Sequence, residues 1–329
     1  MAQPLPELRP RGIVDLLDAT VRLYRRHFAT LLGVSAVLLI PFGVASTVGS
    51  YYLTLAFEPL LTYSAPPVGF QPDLTQTAIG VVGFSVSLLI AWIVGPLSQG
   101  ALAITISEQY LGRTITIGEA YRRARPYWGS LFVVSLVFGL IVSIGPLAGV
   151  LLGGLVGVPL AVFASPDLGL ALGLLLGGLG LLGGSLLGIV FVVWFFLYDT
   201  VMVVEGIRGM DSLQRARALV RSYFWHALGA MFLVFLGTLL VAMIATGPIS
   251  VAASLLASWR QELFAPLQLV SQCIQQIVGI LIGPVTMITQ TLLYYDLRIK
   301  QEGFDLQQMA EALRQRTGNR GEGATEPVA

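Results

Sequence analysis

Six long apolar segments without a single Lys or Arg are the feature of this sequence that most limits its fold. A helix needs roughly 20 apolar residues to cross a hydrocarbon core of about 30 Å, and each segment reaches that length. They cover residues 29–57, 77–107, 128–163, 168–198, 227–257 and 268–295. Only 11% of the 329 residues are charged and 55% are hydrophobic. The sequence therefore predicts an all-α, polytopic membrane protein with six transmembrane helices.

The distribution of Lys and Arg predicts the orientation of these helices. Of the 19 basic residues, 18 fall in segments that alternating spans place on the same side, and Arg260 alone falls on the other. Basic residues near span ends are retained in the cytoplasm. We expect a multi-pass protein of the cell membrane with the N-terminus and the C-terminus in the cytoplasm.

A single membrane domain covers residues 1–313, and the polar tail 314–329 is predicted to be disordered. The first apolar run is too long for a signal peptide and lacks a cleavage site, so we expect it to be retained. The one cysteine, Cys273, can form no intramolecular disulfide and is interpreted as a packing residue.

Short amphipathic segments precede each odd-numbered span and follow the last one, at residues 13–26, 116–125, 211–221 and 305–313. Each places apolar side chains on one helical face and charges on the other. Thr116 and Glu119 form a capping box in the second, and Asp305 is the expected cap of the fourth. We expect cytoplasmic interfacial helices joined to three helical hairpins.

These three units of about 100 residues suggest an internal repeat. Gly95-Pro96 and Gly283-Pro284 support it, because each proline stands twelve residues before an acid, Glu108 or Asp296.

The end of the last span, YYDLRIK at residues 294–300, is predicted to be a membrane exit. We expect Tyr294 and Tyr295 in the aromatic belt at the membrane surface, with Asp296, Arg298 and Lys300 in contact with water.

Prolines inside the spans are candidate helix kinks, because proline removes a backbone donor. The candidates are Pro41, Pro96, Pro146, Pro248 and Pro284. Broken helices can line a substrate site, and bends also occur in packed bundles.

Glycines at fourfold spacing in spans three and four predict close helix packing. They are Gly149, Gly153, Gly157, Gly169, Gly173, Gly177, Gly180, Gly184 and Gly188. The two spans either pack against each other or form a homodimer face.

The span interiors carry no charges, which disfavours an ion path. Four acids, Glu108, Asp199, Glu205 and Asp296, fall at the cytoplasmic ends, where we expect them to reach the interface or to pair with arginines. His27 and His226 are interpreted as interface anchors. The sequence predicts no catalytic set, no metal site, no cofactor and no nucleic acid partner.

Nine cytoplasmic arginines are the candidate contacts for anionic lipid headgroups or a cytoplasmic protein partner. They are Arg22, Arg25, Arg26, Arg122, Arg123, Arg125, Arg215, Arg217 and Arg221.

Two terminal segments, LRPRGIVDLLDATVRLYRRHFATLLGV at residues 8–34 and LLYYDLRIKQEGFDLQQMAEAL at residues 292–313, resemble the bacterial family named for the membrane domain of glycerophosphoryl diester phosphodiesterases. In that family the membrane part is sometimes fused to a catalytic domain with a His-Arg-Gly motif. Here Phe28 follows His27 and Ala227 follows His226. The resemblance therefore implies a six-span membrane module without the enzyme.

Three classes of function fit these observations. The first is a non-enzymatic scaffold or auxiliary subunit that contacts membrane lipids and acts through its cytoplasmic helices. The second is a permease or the membrane subunit of an ATP-driven exporter. The third, a lipid-modifying enzyme, is disfavoured because acids and histidines do not converge in the sequence.

Overall fold

The computed structural model describes residues 12–62, 70–163, 165–260 and 263–302. The predicted all-α fold is confirmed, since these residues form helices and no strand, and six helices are long and apolar enough to span a membrane. The long helices are α2 (Phe28–Thr62), α3 (Leu74–Tyr110), α5 (Trp128–Phe163), α6 (Pro166–Phe195), α9 (Phe224–Trp259) and α10 (Phe264–Glu302). The short helices are α1 (Ile13–Arg26), α4 (Ile117–Ala124), α7 (Tyr198–Glu205) and α8 (Asp211–Arg221).

Side chains at the helix starts satisfy backbone N–H groups that have no partner within the helix. Asp73 accepts hydrogen bonds from the N–H groups of Thr75 and Gln76 at the start of α3. The predicted cap at Thr116 is confirmed, because its hydroxyl accepts a hydrogen bond from the N–H of Glu119.

The fourth predicted span differs from the structure at its end. Helix α6 stops at Phe195, and α7 begins at Tyr198 and ends before Gly206. Gly206 has a φ of +74°, a left-handed conformation that glycine adopts without a steric penalty.

Consecutive long helices pack in antiparallel pairs: α2 with α3, α5 with α6 and α9 with α10. Helices α5 and α6 touch backbone to backbone, because a Cβ added at Gly149 would overlap Gly180 and one added at Gly153 would overlap Gly177. These predicted glycines therefore serve packing within the chain. A homodimer through this hairpin stays a prediction, and Gly154 and Gly178 face open space on its surface.

The buried core lies toward the end of the bundle where α3 and α10 finish, which we call the polar end. Its largest fully buried side chains include Leu31, Ile106, Leu197, Ile288 and Tyr294. In α10 the most apolar stretch is 44% buried, against 11–22% in the other five spans. Helix α10 is therefore the central element.

Helices α1, α4 and α8 cover the polar end. Helix α1 packs on α10, α4 on α3, and α8 on α6. Each of them buries apolar residues against the bundle, including Leu16 of α1, Ala120 of α4 and Leu219 of α8, whereas Val14 and Val21 of α1 are exposed. The helix expected from Asp305 and the tail 314–329 lie outside the described residues.

The chain remains helical through all five candidate prolines. It is also helical through Pro159, which was not among the candidate kinks. A proline opens the preceding turn and leaves carbonyls in need of donors. The Trp128 indole donates to the Ile93 carbonyl at 2.8 Å, and the Tyr24 hydroxyl donates to the Leu281 carbonyl at 2.6 Å. These carbonyls stand three residues before Pro96 and Pro284, respectively. At both Gly-Pro sites, therefore, an aromatic side chain from another helix donates a hydrogen bond to the carbonyl three residues before the proline.

Candidate functional site

The polar end contains a layer of paired charges, which we call the polar layer. It is built on Glu108 at the end of α3, Glu205 of α7 and Asp296 of α10. Each carboxylate is held by basic side chains that come from another helix or from one turn further along its own.

Glu205 is the centre of one group in this layer. Arg215 from α8 donates from Nε to Glu205 Oε2 at 2.9 Å and from Nη2 to Oε1 at 3.3 Å. This two-pronged geometry is the strongest arrangement of an arginine with a carboxylate. The Tyr294 hydroxyl donates to Glu205 Oε1 at 2.8 Å, and Arg298 donates to Tyr294 at 2.9 Å. Glu205 thereby joins α7, α8 and α10.

Asp296 is the centre of a second group. Lys300 donates to Asp296 Oδ2 at 2.7 Å, and His226 Nε2 lies 3.1 Å from the same oxygen. The Asp296 side chain is only 2% exposed. The predicted surroundings of these side chains are wrong, because Asp296 is buried and Tyr294 and Tyr295 lie in the protein core. The membrane exit at this segment stays a prediction. Helix α10 continues through this segment to Glu302, and the other helices shield it.

Glu108 forms the third group with Arg123 of α4 at 3.1 Å and Arg113 at 3.7 Å. Arg123 also binds Glu119 one turn earlier on α4. Close by, Tyr295 and Ser107 share a hydrogen bond between α10 and α3. Together these contacts join α4 to the ends of the two helices.

Asp199, at the start of α7, has different partners from those predicted. It is 3% exposed and accepts hydrogen bonds from the N–H of Thr200 at 2.6 Å and from the amide of Gln290. The described part of the chain places no Lys, Arg or His within 4.0 Å of it. The predicted arginine pairing is therefore wrong for Asp199, and Gln290 supplies the missing donor.

The structure separates the nine candidate arginines into two groups. Arg123 and Arg215 bind carboxylates of the polar layer, Arg22 pairs with Asp18 on α1, and the Arg217 guanidinium lies 4.5 Å from the Trp194 ring centroid. The other five are exposed and have no carboxylate partner among the described residues. These five are Arg25, Arg26, Arg122, Arg125 and Arg221. They define what we call the outer arginines.

The contact of His226 with Asp296 is chemically suggestive, since a carboxylate orients the histidine in many hydrolytic sites. Within the described ranges, however, no hydroxyl or thiol forms a hydrogen bond with His226. The same ranges contain no cluster of three His, Cys, Asp or Glu residues suited to a metal. The arrangement thus joins α9 to α10 and offers no assembled nucleophile.

His27 lies at the junction of α1 and α2, away from these groups. Partial burial and the adjacent charge of Arg26 lower its pKa below the usual 6.5. The imidazole is therefore neutral at neutral pH, and the outer charge of this junction comes from Arg25 and Arg26.

The contact of His226 with Asp296 and Lys300 was not predicted from the sequence, because His226 is 70 residues from Asp296. A local signal was nevertheless present. Asp296 and Lys300 stand four residues apart, as do Tyr294 and Arg298, and side chains at this spacing meet on one helical face. That spacing predicts an extension of α10 beyond Tyr295.

Comparisons of the chain with models of known protein families, with curated proteins and with solved structures found no match.

Proposed function

We propose that this chain is a non-enzymatic membrane module whose outer arginines bind anionic lipid headgroups at the cytoplasmic surface. The observation that carries the proposal is the different treatment of acids and bases at the polar end. Glu108, Glu205 and Asp296 are paired within the protein, whereas the outer arginines are exposed and have no carboxylate partner in the described ranges.

This arrangement favours an anionic partner on physical grounds. The cytoplasmic leaflet has a negative surface potential, and each Lys or Arg near it contributes about 1 kcal/mol to binding. The sequence places 18 of 19 basic residues on the predicted cytoplasmic side. Since α1, α4 and α8 bury apolar residues against the bundle, their exposed arginines are directed away from it.

A non-enzymatic role is supported by the chemistry of the polar layer. Its acids are engaged with arginine, lysine and histidine, and Asp199 nearby is engaged with the Gln290 amide. These contacts join helices. A scaffold or auxiliary subunit requires such a stable platform and no reactive group.

We also propose membership in the family named for the membrane domain of glycerophosphoryl diester phosphodiesterases. The first resembling segment contains α1, and α1 packs on α10, the helix in which the second segment begins, which supports a shared structural role. The contacts lie in the part of α10 that precedes the second segment: the hydroxyls of Thr20 and Thr289 are 3.2 Å apart, and Tyr24 donates to the Leu281 carbonyl.

The test replaces all five outer arginines with glutamine and compares this variant with one in which the same five become lysine. Both proteins are purified from native membranes in mild detergent, and bound lipids and proteins are identified by mass spectrometry. We expect the glutamine variant to lose anionic lipid by at least about tenfold, while the lysine variant retains most of it, because lysine keeps the charge.

Equal anionic lipid content in the wild type and the glutamine variant would contradict the proposal. A stoichiometric ATPase bound to the wild type would instead favour an exporter subunit. Raising the salt concentration should release lipid from the wild type, since exposed charges are screened.

A further inference from the structure

A groove on the membrane-facing surface lies between α9 and α10 and has a volume of about 620 Å³. We call it the α9–α10 groove. Thr238 and Thr246 line it from α9, and Gln275, Gly279 and Thr286 line it from α10. At one end it continues into a more enclosed chamber of about 220 Å³, which adds Thr289 and Gln290 to the lining. Phe235, Thr238 and Thr286 belong to both spaces.

Along the groove the Gly279 face of α10 lies open, in contrast to the close backbone contact between α5 and α6. A Cβ added at Gly279 would meet no atom within 4 Å, whereas one at Gly149 would overlap the opposite backbone. Gly279 thus leaves space and does not serve helix packing within the chain.

The chamber offers mainly hydrogen-bond acceptors. The Gln290 amide nitrogen donates to the Phe196 carbonyl and to Asp199 Oδ1, which uses both its hydrogens and leaves the amide oxygen for a donor. The Thr238 hydroxyl donates to the Phe235 carbonyl at 2.9 Å, so its oxygen also remains an acceptor. Thr286 has no hydrogen-bond partner among the described residues. An uncharged ligand with a free hydroxyl satisfies these groups.

The depth of the chamber suits the polar part of a lipid. Leu293 lines the chamber and stands three residues before Asp296 of the polar layer, which places the chamber within about one helical turn, 5.4 Å, of the charged layer. From there the groove runs toward Gln275, fifteen residues from Gln290, over about 22 Å at 1.5 Å per residue. One leaflet of the hydrocarbon core is about 15 Å thick. The groove is therefore long enough for one acyl chain.

The width of the groove excludes a helix. The groove itself is lined on α10 from Gln275 to Thr286, eleven residues or about 16.5 Å, so its volume of 620 Å³ gives a mean cross-section of about 38 Å², whereas a helix about 10 Å across needs about 80 Å². A single unbranched hydrocarbon chain fits this section, and a transmembrane segment of a partner or a second copy does not.

We propose that the α9–α10 groove binds an acylglycerol, with its acyl chain along the groove and its free hydroxyls donating in the chamber, one to the Gln290 amide oxygen and one to the Thr238 hydroxyl oxygen. This site is distinct from the outer arginines, which attract charged headgroups. Its occupant is neutral, because the chamber lining carries no charge.

The experiment uses the full-length protein in phosphatidylcholine vesicles and a monoacylglycerol with a photoreactive group in its acyl chain. Gly279→Leu places an apolar side chain in the groove, starting from a Cβ that meets no atom within 4 Å. Gly237→Leu is the matched control, since Gly237 is also an exposed glycine of a span with no atom within 4 Å and does not line the groove. We expect labelling of α9 and α10 to fall at least about tenfold in Gly279→Leu and to be unchanged in Gly237→Leu.

Recognition of the hydroxyl is tested by competition. Unlabelled monooleoylglycerol should displace the probe from the wild type, and the methyl ester of the same fatty acid should compete about tenfold less well, the size expected from a lost hydrogen bond. Thr238→Val should reduce that preference, because it removes one of the two acceptors.

Labelling of Gly279→Leu at the wild-type level would show that the probe does not bind in the α9–α10 groove. Equal competition by the methyl ester would show that the chamber does not recognise a hydroxyl. Stronger competition by an isoprenoid alcohol than by monooleoylglycerol would show that the ligand is not an acylglycerol. The variant with five glutamines in place of the outer arginines should label normally. Loss of headgroup binding and loss of groove binding are thus separate results.

Discussion

At the scale of single residues, the polar layer shows how carboxylates are accommodated at the end of a membrane bundle. Removing a carboxylate from water costs several kcal/mol, which close partners must offset. Glu205 meets this condition with a two-pronged arginine and a tyrosine hydroxyl, and Asp296 meets it with lysine and histidine. These side chains hold the helix ends together and leave the outer arginines to face the solvent or the lipid.

Glu205→Gln should destabilise the protein by about 3 kcal/mol, because Arg215 and Arg298 would lose their shared counter-charge in a site where Glu205 is 9% exposed. Glu119→Gln is the matched control, since Glu119 is 31% exposed and pairs with Arg123 one turn away. Its cost should stay below about 1 kcal/mol. Unfolding of both purified variants in detergent by denaturant titration measures the difference. Equal stabilities would show that the Glu205 group does not hold the fold.

At the scale of helices, glycines and prolines have different structural effects in different helix pairs. Gly149 and Gly153 bring the α5 backbone against α6, whereas Gly279 leaves open space beside α9. At Pro96 and Pro284 the opened turns receive donors from Trp128 and Tyr24. Glycine therefore allows tight backbone packing at one interface and leaves open space at another, according to the facing element.

Gly149→Leu should separate α5 from α6 and cost about 3 kcal/mol or more, because the new side chain would meet the Gly180 backbone. Gly154→Leu lies one turn away on the same helix in open space and should cost less than about 0.5 kcal/mol. Cysteine pairs across the hairpin and their crosslinking yield report the separation. Normal crosslinking in Gly149→Leu would contradict the observed backbone contact.

Helix existence and extent follow from the sequence, because apolar length and caps are local properties. The span predicted at residues 128–163 coincides with α5. The break between α6 and α7 was not predicted, since Phe196-Leu197 contains no helix-breaking residue. The Phe196 carbonyl accepts a hydrogen bond from Gln290 of α10, and this contact between distant segments has no local sequence signal.

At the scale of the whole molecule, α10 is the element around which the three antiparallel pairs gather, since it packs against α2 as well as α9 and is the most buried span. The six spans could be predicted because hydrophobic length reports the membrane directly. Pairing of Glu108 and Glu205 with arginines was among the expectations and is observed. Which helices supply the partners could not be predicted, because segments distant in the chain meet only after packing. Asp199 illustrates this: its position suggested an arginine, and packing supplied Gln290.

The orientation of the polar end is the premise on which headgroup binding by the outer arginines depends. It follows from the excess of basic residues in four segments of the chain. Were that end outside the cell, the arginines would face the leaflet that is poorer in anionic lipid.

The most direct measurement is therefore the location of two fused reporters whose activity depends on the side of the membrane. One is placed after Gln71, between α2 and α3, and the other after Arg113, between α3 and α4. The reporter after Gln71 should behave as external and the one after Arg113 as cytoplasmic. The reverse pattern would place the polar layer and the outer arginines outside the cell and contradict the proposed function.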